Sequence, residues 1–142
     1  MNDKESALPK VHRLNNGLPV IRPVASHPWE NKVTFNPACA LVENRPELDS
    51  IIARLPFTGD IKRTLSAQRA LCFLLYRAQG RKTEFHDYTR SSIGLAVLSP
   101  DLQVLARHAE PVILPDREYD NLGVEDGRIS RVGDRYVMMY CA

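Results

Sequence analysis

The stretch YDNLGVEDGRISRVGDRY, residues 119–136, decides how this chain is read. Turn-prone, acidic residues lead into Gly123-Val124-Glu125-Asp126-Gly127-Arg128. A short alternating strand follows, then a Gly133-Asp134 turn, then a second apolar strand over residues 136–140. Such a pair of residues between two strand-like runs marks a β-hairpin. Two carboxylates and a guanidinium therefore sit at its mouth. Neighbouring side chains of a strand face opposite ways, while i and i+2 share a face. Asp126 and Arg128 are thus expected on one face, with Glu125 pointing away, which makes Asp126 the first candidate for chemistry.

Upstream, short strands dominate. The strongest spans residues 69–78 (RALCFLLYRA); a polar loop, 79–90, follows it. Residues 92–98 (SIGLAVL), a Pro100-Asp101 turn and residues 103–107 (QVLAR) continue a β-meander. Residues 32–35 and 38–42 form a candidate strand pair, broken by Asn36-Pro37, since a residue before proline is restricted. One helix is expected over residues 46–56. Pro46 opens it, Leu48, Ile51, Ile52 and Leu55 recur at i, i+3, i+4, i+7, and Pro56 ends it. Its apolar stripe packs on its own domain or meets a partner subunit. Residues 1–28, punctuated by Pro9, Pro19, Pro23 and Pro28, form an irregular N-terminal arm. Short strands with regular turn signals indicate a sandwich, a barrel or propeller blades. No strict repeat is present.

The 142 residues match the commonest size of one domain, with 44% hydrophobic and 25% charged residues. The net charge of +2, with scattered basic residues, argues against a dedicated nucleic-acid or membrane-surface binder. The longest apolar run, residues 70–76, is far short of the ~20 residues a membrane helix needs. The first ten residues carry no signal-peptide core. Cys39, Cys72 and Cys141 are widely spaced within apolar runs and read as buried free thiols in a reducing, cytoplasmic setting.

Four segments together resemble the N-terminal part of glycoside hydrolase family 130, the β-mannoside phosphorylases. They are WENKVTFNPA (29–38), CFLLYRA (72–78), SSIGLAVLSPD (91–101) and GVEDGRI (123–129), with RYVMMYCA closing the chain. The resemblance implies an all-β fold. The chain would be part of a five-bladed β-propeller, about two blades of a protein of ~300 residues or more, with one short helical insertion. Residues 29–142 would then be the N-terminal part of a truncated catalytic domain, inactive on its own. The EDGR motif and the insertion resemble the 4-O-β-D-mannosyl-D-glucose phosphorylase subgroup. The implied reaction is phosphorolysis with inversion, yielding mannose 1-phosphate and glucose. Inorganic phosphate is co-substrate, no other cofactor is needed, and the full-length enzyme is a homo-oligomer.

By the same resemblance Asp126 is the general acid, passing its proton through a substrate hydroxyl. Asn36, Arg77, Arg90, Ser91, Glu125 and Arg128 are the candidate substrate-binding residues. Asn36 can donate to and accept from sugar hydroxyls, but Asn before Pro is also a common turn residue. Arg77 closes an apolar strand and is either a mannose ligand or merely solvated. Family members often read SRIG where this chain reads RSSIG, which leaves the reach of Arg90 open. Glu125 is an orienting or structural carboxylate rather than a second catalyst. Arg128 beside Asp126 would lower its pKa and oppose acid behaviour, whereas burial would raise it. An ion pair between the two is the purely structural alternative. Tyr76 and Tyr88 either stack on sugars or fill the core, and Trp29, the sole tryptophan, is a packing anchor or a sugar platform.

Other chemistries find no support in the sequence. His12, His27, His86 and His108 are too dispersed for a metal motif. Counted from Asp116, a calcium loop would need glycine sixth and glutamate twelfth, but Asn121 and Gly127 stand there. There is no phosphate-binding glycine loop, and Ser99 lacks a nucleophile elbow. Two alternatives stay open: a β-mannosidase of the same family using water, which needs a carboxylate base besides the acid, or a non-catalytic carbohydrate-binding propeller.

Overall fold

The computed structural model describes residues 15–84 and 87–142. The first half of the expected arm, with His12, and His86 of the polar loop lie outside these residues.

Eight regular elements follow one another: β1 (Val33–Val42), α1 (Arg45–Arg54), α2 (Gly59–Ser66), β2 (Leu71–Gln79), β3 (Ser92–Leu98), β4 (Val104–Arg107), β5 (Glu125–Val132) and β6 (Arg135–Cys141). Strands β1-β2-β3-β4 form one antiparallel meander, and β5-β6 form a separate hairpin whose first strand packs against β1. The fold is mostly β, as the strand runs indicate. The central strands β2 and β3 are covered on both faces, which is why they read as near-continuous apolar runs. No helix among the described residues is long and apolar enough to cross a membrane.

Register assigns each face its task. Phe73, Leu75 and Arg77 of β2 pair with Val97, Leu95 and Ile93 of β3, so they share one face. Helices α1 and α2 cover the apolar end of that face, burying Leu48, Ile52 and Leu65 against Val42, Leu71 and Phe73. The opposite face carries Cys72, Leu74, Tyr76 and Ala78, packed under Trp29, Val20 and Ile21 of the N-terminal segment.

Several expectations need correction. The broken strand pair is one strand, β1, whose register shifts between Phe35 and Ala38. Asn-Pro makes a bulge there rather than a break. The insertion holds two helices, not one. In α1, Asn44 accepts the Glu47 amide (3.1 Å) and Pro46 sits in the first turn, as N-terminal signals require. The helix stops at Arg54, two residues ahead of Pro56, because the residue before proline avoids the α region. Its stripe packs inward: Leu48 and Ile52 are fully buried in this chain's own core. Of the cysteines only Cys72 is buried; Cys39 and Cys141 are exposed, because strand alternation inside an apolar run still turns every second side chain outward. Burial pushes the Cys72 thiol up to about 11.

Candidate functional site

The face that carries the α-helical core changes character at its other end. Beyond Leu75 the same face continues with Arg77 and Gln79. Opposite them β1 and β5 each bulge. The β1 register shifts between Phe35 and Ala38, and the β5 register between Glu125 and Arg128. Asn36 stands in the first bulge at φ 43° and Asp126 in the second at φ 50°. Asn and Asp tolerate this left-handed region better than other non-glycine residues, and such strain collects at functional sites. The two side chains meet: Asn36 Nδ2 donates to Asp126 Oδ1 at 2.7 Å.

Arg77 completes the cluster. Its NH1 donates to Asp126 Oδ1 at 3.1 Å, its NH2 to Glu125 Oε1, and its Nε to Ser91 Oγ at 2.8 Å. The guanidinium lies 4.5 Å from the centre of the Phe35 ring. Gln79 Nε2 donates to the same Ser91 hydroxyl (3.0 Å), which in turn donates to Glu125 Oε1 (3.2 Å). Ser91 is fully buried and also pins the acidic motif by its backbone, since its carbonyl accepts the Val124 amide (2.9 Å). Gly123 makes that approach possible. Its φ is +137°, and a Cβ there would stand 3.0 Å from the Ser91 nitrogen.

The structure thus brings together Asn36, Arg77, Ser91, Glu125 and Asp126. It does not bring Arg90 or Arg128 to them. Arg90 is exposed and lines a different cleft, with Asp87 and Asp116. Arg128 turns its NH1 back onto the carbonyls of Asp126 (3.4 Å) and Gly127 (2.8 Å). The expected split, Asp126 beside Arg128 and Glu125 opposite, fails because the bulge cancels the two-residue alternation. Both carboxylates face Arg77. The Asp126 carboxyl is held below its ordinary value of 3.8, first by the Asn36 hydrogen bond and then by Arg77, with Arg128 the smallest contributor. Desolvation of the half-exposed carboxyl opposes these, second in size only to the Asn36 hydrogen bond, and the lowering prevails.

Trp29 and Tyr76 are core residues. Trp29 Nε1 donates to the Ala109 carbonyl (2.7 Å), and its ring stacks on buried Tyr76, centroids 6.1 Å apart. Tyr88 packs against the same cluster. Gln79 and Phe35 were not singled out from sequence. Gln79 lies two residues after Arg77 on one strand, the only sequence signal that could have found it. Among the described residues no three His, Cys, Asp or Glu side chains are grouped to hold a metal ion.

Comparison with known proteins places the chain in a family. The glycoside hydrolase 130 profile, described as beta-1,4-mannooligosaccharide phosphorylase, matches residues 69–142, more than half of the sequence. The chain belongs to that family. A beta-1,2-mannobiose phosphorylase of Thermoanaerobacter sp. (strain X514) is 27% identical over 139 residues, covering 92% of this chain and 36% of the relative. A glycosyl hydrolase of Bacteroides ovatus, solved by crystallography, superposes with TM-score 0.60 at 27% identity, over 94% of this chain and 35% of that one. A Parabacteroides distasonis ATCC 8503 protein shares the fold at TM-score 0.57 and 22% identity, over 91% of this chain and 34% of that one. The chain spans about a third of the length of these relatives.

Proposed function

We propose that this chain supplies the acid-bearing part of an inverting β-mannoside phosphorylase acting on 4-O-β-D-mannosyl-D-glucose. The observation that carries the proposal is the meeting of two strained bulges. Asn36 and Asp126, both in left-handed backbone, are hydrogen-bonded to each other beside Arg77, within a chain of the phosphorylase family. Placing polar groups on strained backbone has no packing benefit, and binding or catalysis gives it a purpose.

In the resting arrangement Asp126 is a carboxylate whose Oδ1 accepts from both Asn36 and Arg77. An acid must carry a proton when the leaving oxygen departs. A sugar in the cleft can supply that change. Its hydroxyls offer Asn36 Nδ2 and Arg77 other acceptors, and its bulk excludes water from the half-exposed carboxyl. Both effects raise proton affinity. Asp126 then protonates the departing glucose oxygen through a mannose hydroxyl, while phosphate attacks the anomeric carbon from the opposite side. The products are α-mannose 1-phosphate and glucose. Neither metal nor organic cofactor enters this scheme.

The acting protein is, in this reading, a five-bladed propeller and a homo-oligomer in the cytoplasm, free of nucleic acid and membrane. Support for the sugar class comes from family membership, and for the mannosylglucose preference from the EDGR motif. The relative named for β-1,2-mannobiose makes linkage the point to test.

The test, in the full-length enzyme, follows phosphate consumption with mannosylglucose, β-1,2-mannobiose and β-1,4-mannobiose, resolving products by phosphorus NMR. α-Mannose 1-phosphate formed fastest from mannosylglucose is the expected result. Mannose released without phosphate incorporation would identify a mannosidase. Sugar binding without turnover, unchanged in Asp126→Asn, would identify a binding module.

A further inference from the structure

Arg77 is a single cation facing two carboxylates, and the way it is shared has a chemical consequence. Its side chain is 13% exposed, and all three of its nitrogens are engaged: Nε by Ser91, NH1 by Asp126, NH2 by Glu125. The Ser91 hydroxyl is saturated too. It accepts from Arg77 and from Gln79 and donates its one hydrogen to Glu125. Glu125 is therefore fixed from two sides, by the guanidinium and by a buried hydroxyl. Asp126 has no comparable clamp, only Asn36 and its part of Arg77.

We propose that Glu125 is a positioning residue: held by the Ser91 hydroxyl that Gln79 anchors, it takes a share of the Arg77 charge that Asp126 would otherwise feel alone, and so sets how readily Asp126 takes up a proton. The proposal rests on the reading of Asp126 as the acid. Charge bears on Asp126 from Arg77 of β2 and, least of all, from Arg128 of β5; Glu125 of β5 meets the same Arg77 guanidinium, and β1 contributes the uncharged Asn36. With Glu125 ionised, Arg77 is already neutralised locally. Without that charge the full cation acts on Asp126 at hydrogen-bond distance and favours its ionised form. An acid that ionises too readily is unprotonated at working pH and transfers protons poorly.

The experiment follows the Asp126 side-chain carboxyl carbon by NMR against pH, in this chain, without sugar or phosphate. Glu125→Gln keeps the shape and loses the charge. The expected result is a midpoint lower by at least about half a pH unit, roughly a threefold loss of proton affinity. Glu125→Asp, with the charge kept, returns toward the original midpoint, which a purely packing role would not produce. An unchanged or raised midpoint in folded Glu125→Gln overturns the proposal. Should that variant lose its dispersed amide spectrum, Ser91→Ala carries the test. It releases Glu125 from its clamp, and a smaller downward shift is expected; no shift overturns the proposal. Because no turnover is read, the result does not depend on the reaction. In phosphorolysis assays Glu125→Gln lowers kcat with KM retained and moves the pH–rate limb with the titration. A titration that moves while the pH–rate profile stays fixed upholds the sharing and removes Asp126 from the acid role.

Discussion

Asp126 gathers the effects that matter at the scale of one residue. Its carboxyl is stabilised as an anion chiefly by the Asn36 amide, so it resists protonation until below its ordinary value of 3.8. A carboxyl with a depressed pKa stabilises the fold above the unfolded value and loses that contribution as pH falls through the folded one. Asn36→Gly removes the amide and keeps the left-handed backbone, since glycine adopts positive φ freely. The Asp126 midpoint should then rise toward 3.8, as read by carboxyl NMR, and the part of the acid-side loss of melting temperature that Asp126 contributes should shrink. Asp126 stood out in the sequence from its place at the mouth of a hairpin, whereas Asn36 and Arg77 were legible only through resemblance. Spacing alone pointed to Arg128 as the partner. The true partner, Arg77, is 49 residues away. Nothing local announces a bulge that needs Asp at positive φ, because aspartate's tolerance for that region is a permission and not a signal.

Elements place those residues, and their anchors lie away from the site. Buried Glu30 accepts from Tyr76 Oη at 2.9 Å and from Arg107 NH2, and it meets His27 Nδ1 at 2.5 Å. Arg107 Nε also donates to Tyr76 Oη (2.9 Å), so β4, β2 and the N-terminal segment are tied at one point. Removing one partner of a buried pair strands the other, so Glu30→Ala should cost about 3–5 kcal/mol in denaturant unfolding. Gly94 lies beneath the same rings. A Cβ there would stand 2.4 Å from Tyr76 and 2.5 Å from Trp29, with no room in a close-packed layer. Gly94→Ala should therefore destabilise by about 1–3 kcal/mol or more, visible as a lower unfolding midpoint. Strands β2 and β3 were legible because both faces are covered and the apolar run is unbroken. Helix α2 was not. At eight residues, with Gly59 at its start, its apolar pattern is the single i, i+4 pair Ile61 and Leu65, too short a run to mark a helix by itself.

Across the whole molecule, one sheet face runs from a helix-covered apolar core to a charged cluster, and the β5-β6 hairpin packs over β1 beside it. An apolar opening of about 340 Å³ remains between hairpin and sheet, lined by Phe73, Leu75, Ile129 and Met138 among others. The three thiols report on this packing. Cys39 and Cys141 should react quickly with an alkylating reagent in the native protein, and Cys72 only on unfolding, as mass spectrometry of peptides would show. The central claim is that Asp126 delivers a proton to a departing sugar oxygen. It is tested most directly in the full-length enzyme, by comparing Asp126→Asn with the unaltered protein on two β-mannosides, in the presence of phosphate. Mannosylglucose has a leaving group that needs protonation, whereas dinitrophenyl β-mannoside does not. The account predicts a loss of about 10²–10⁴-fold on the first substrate and little change on the second. Equal losses on both, or none on either, would contradict it.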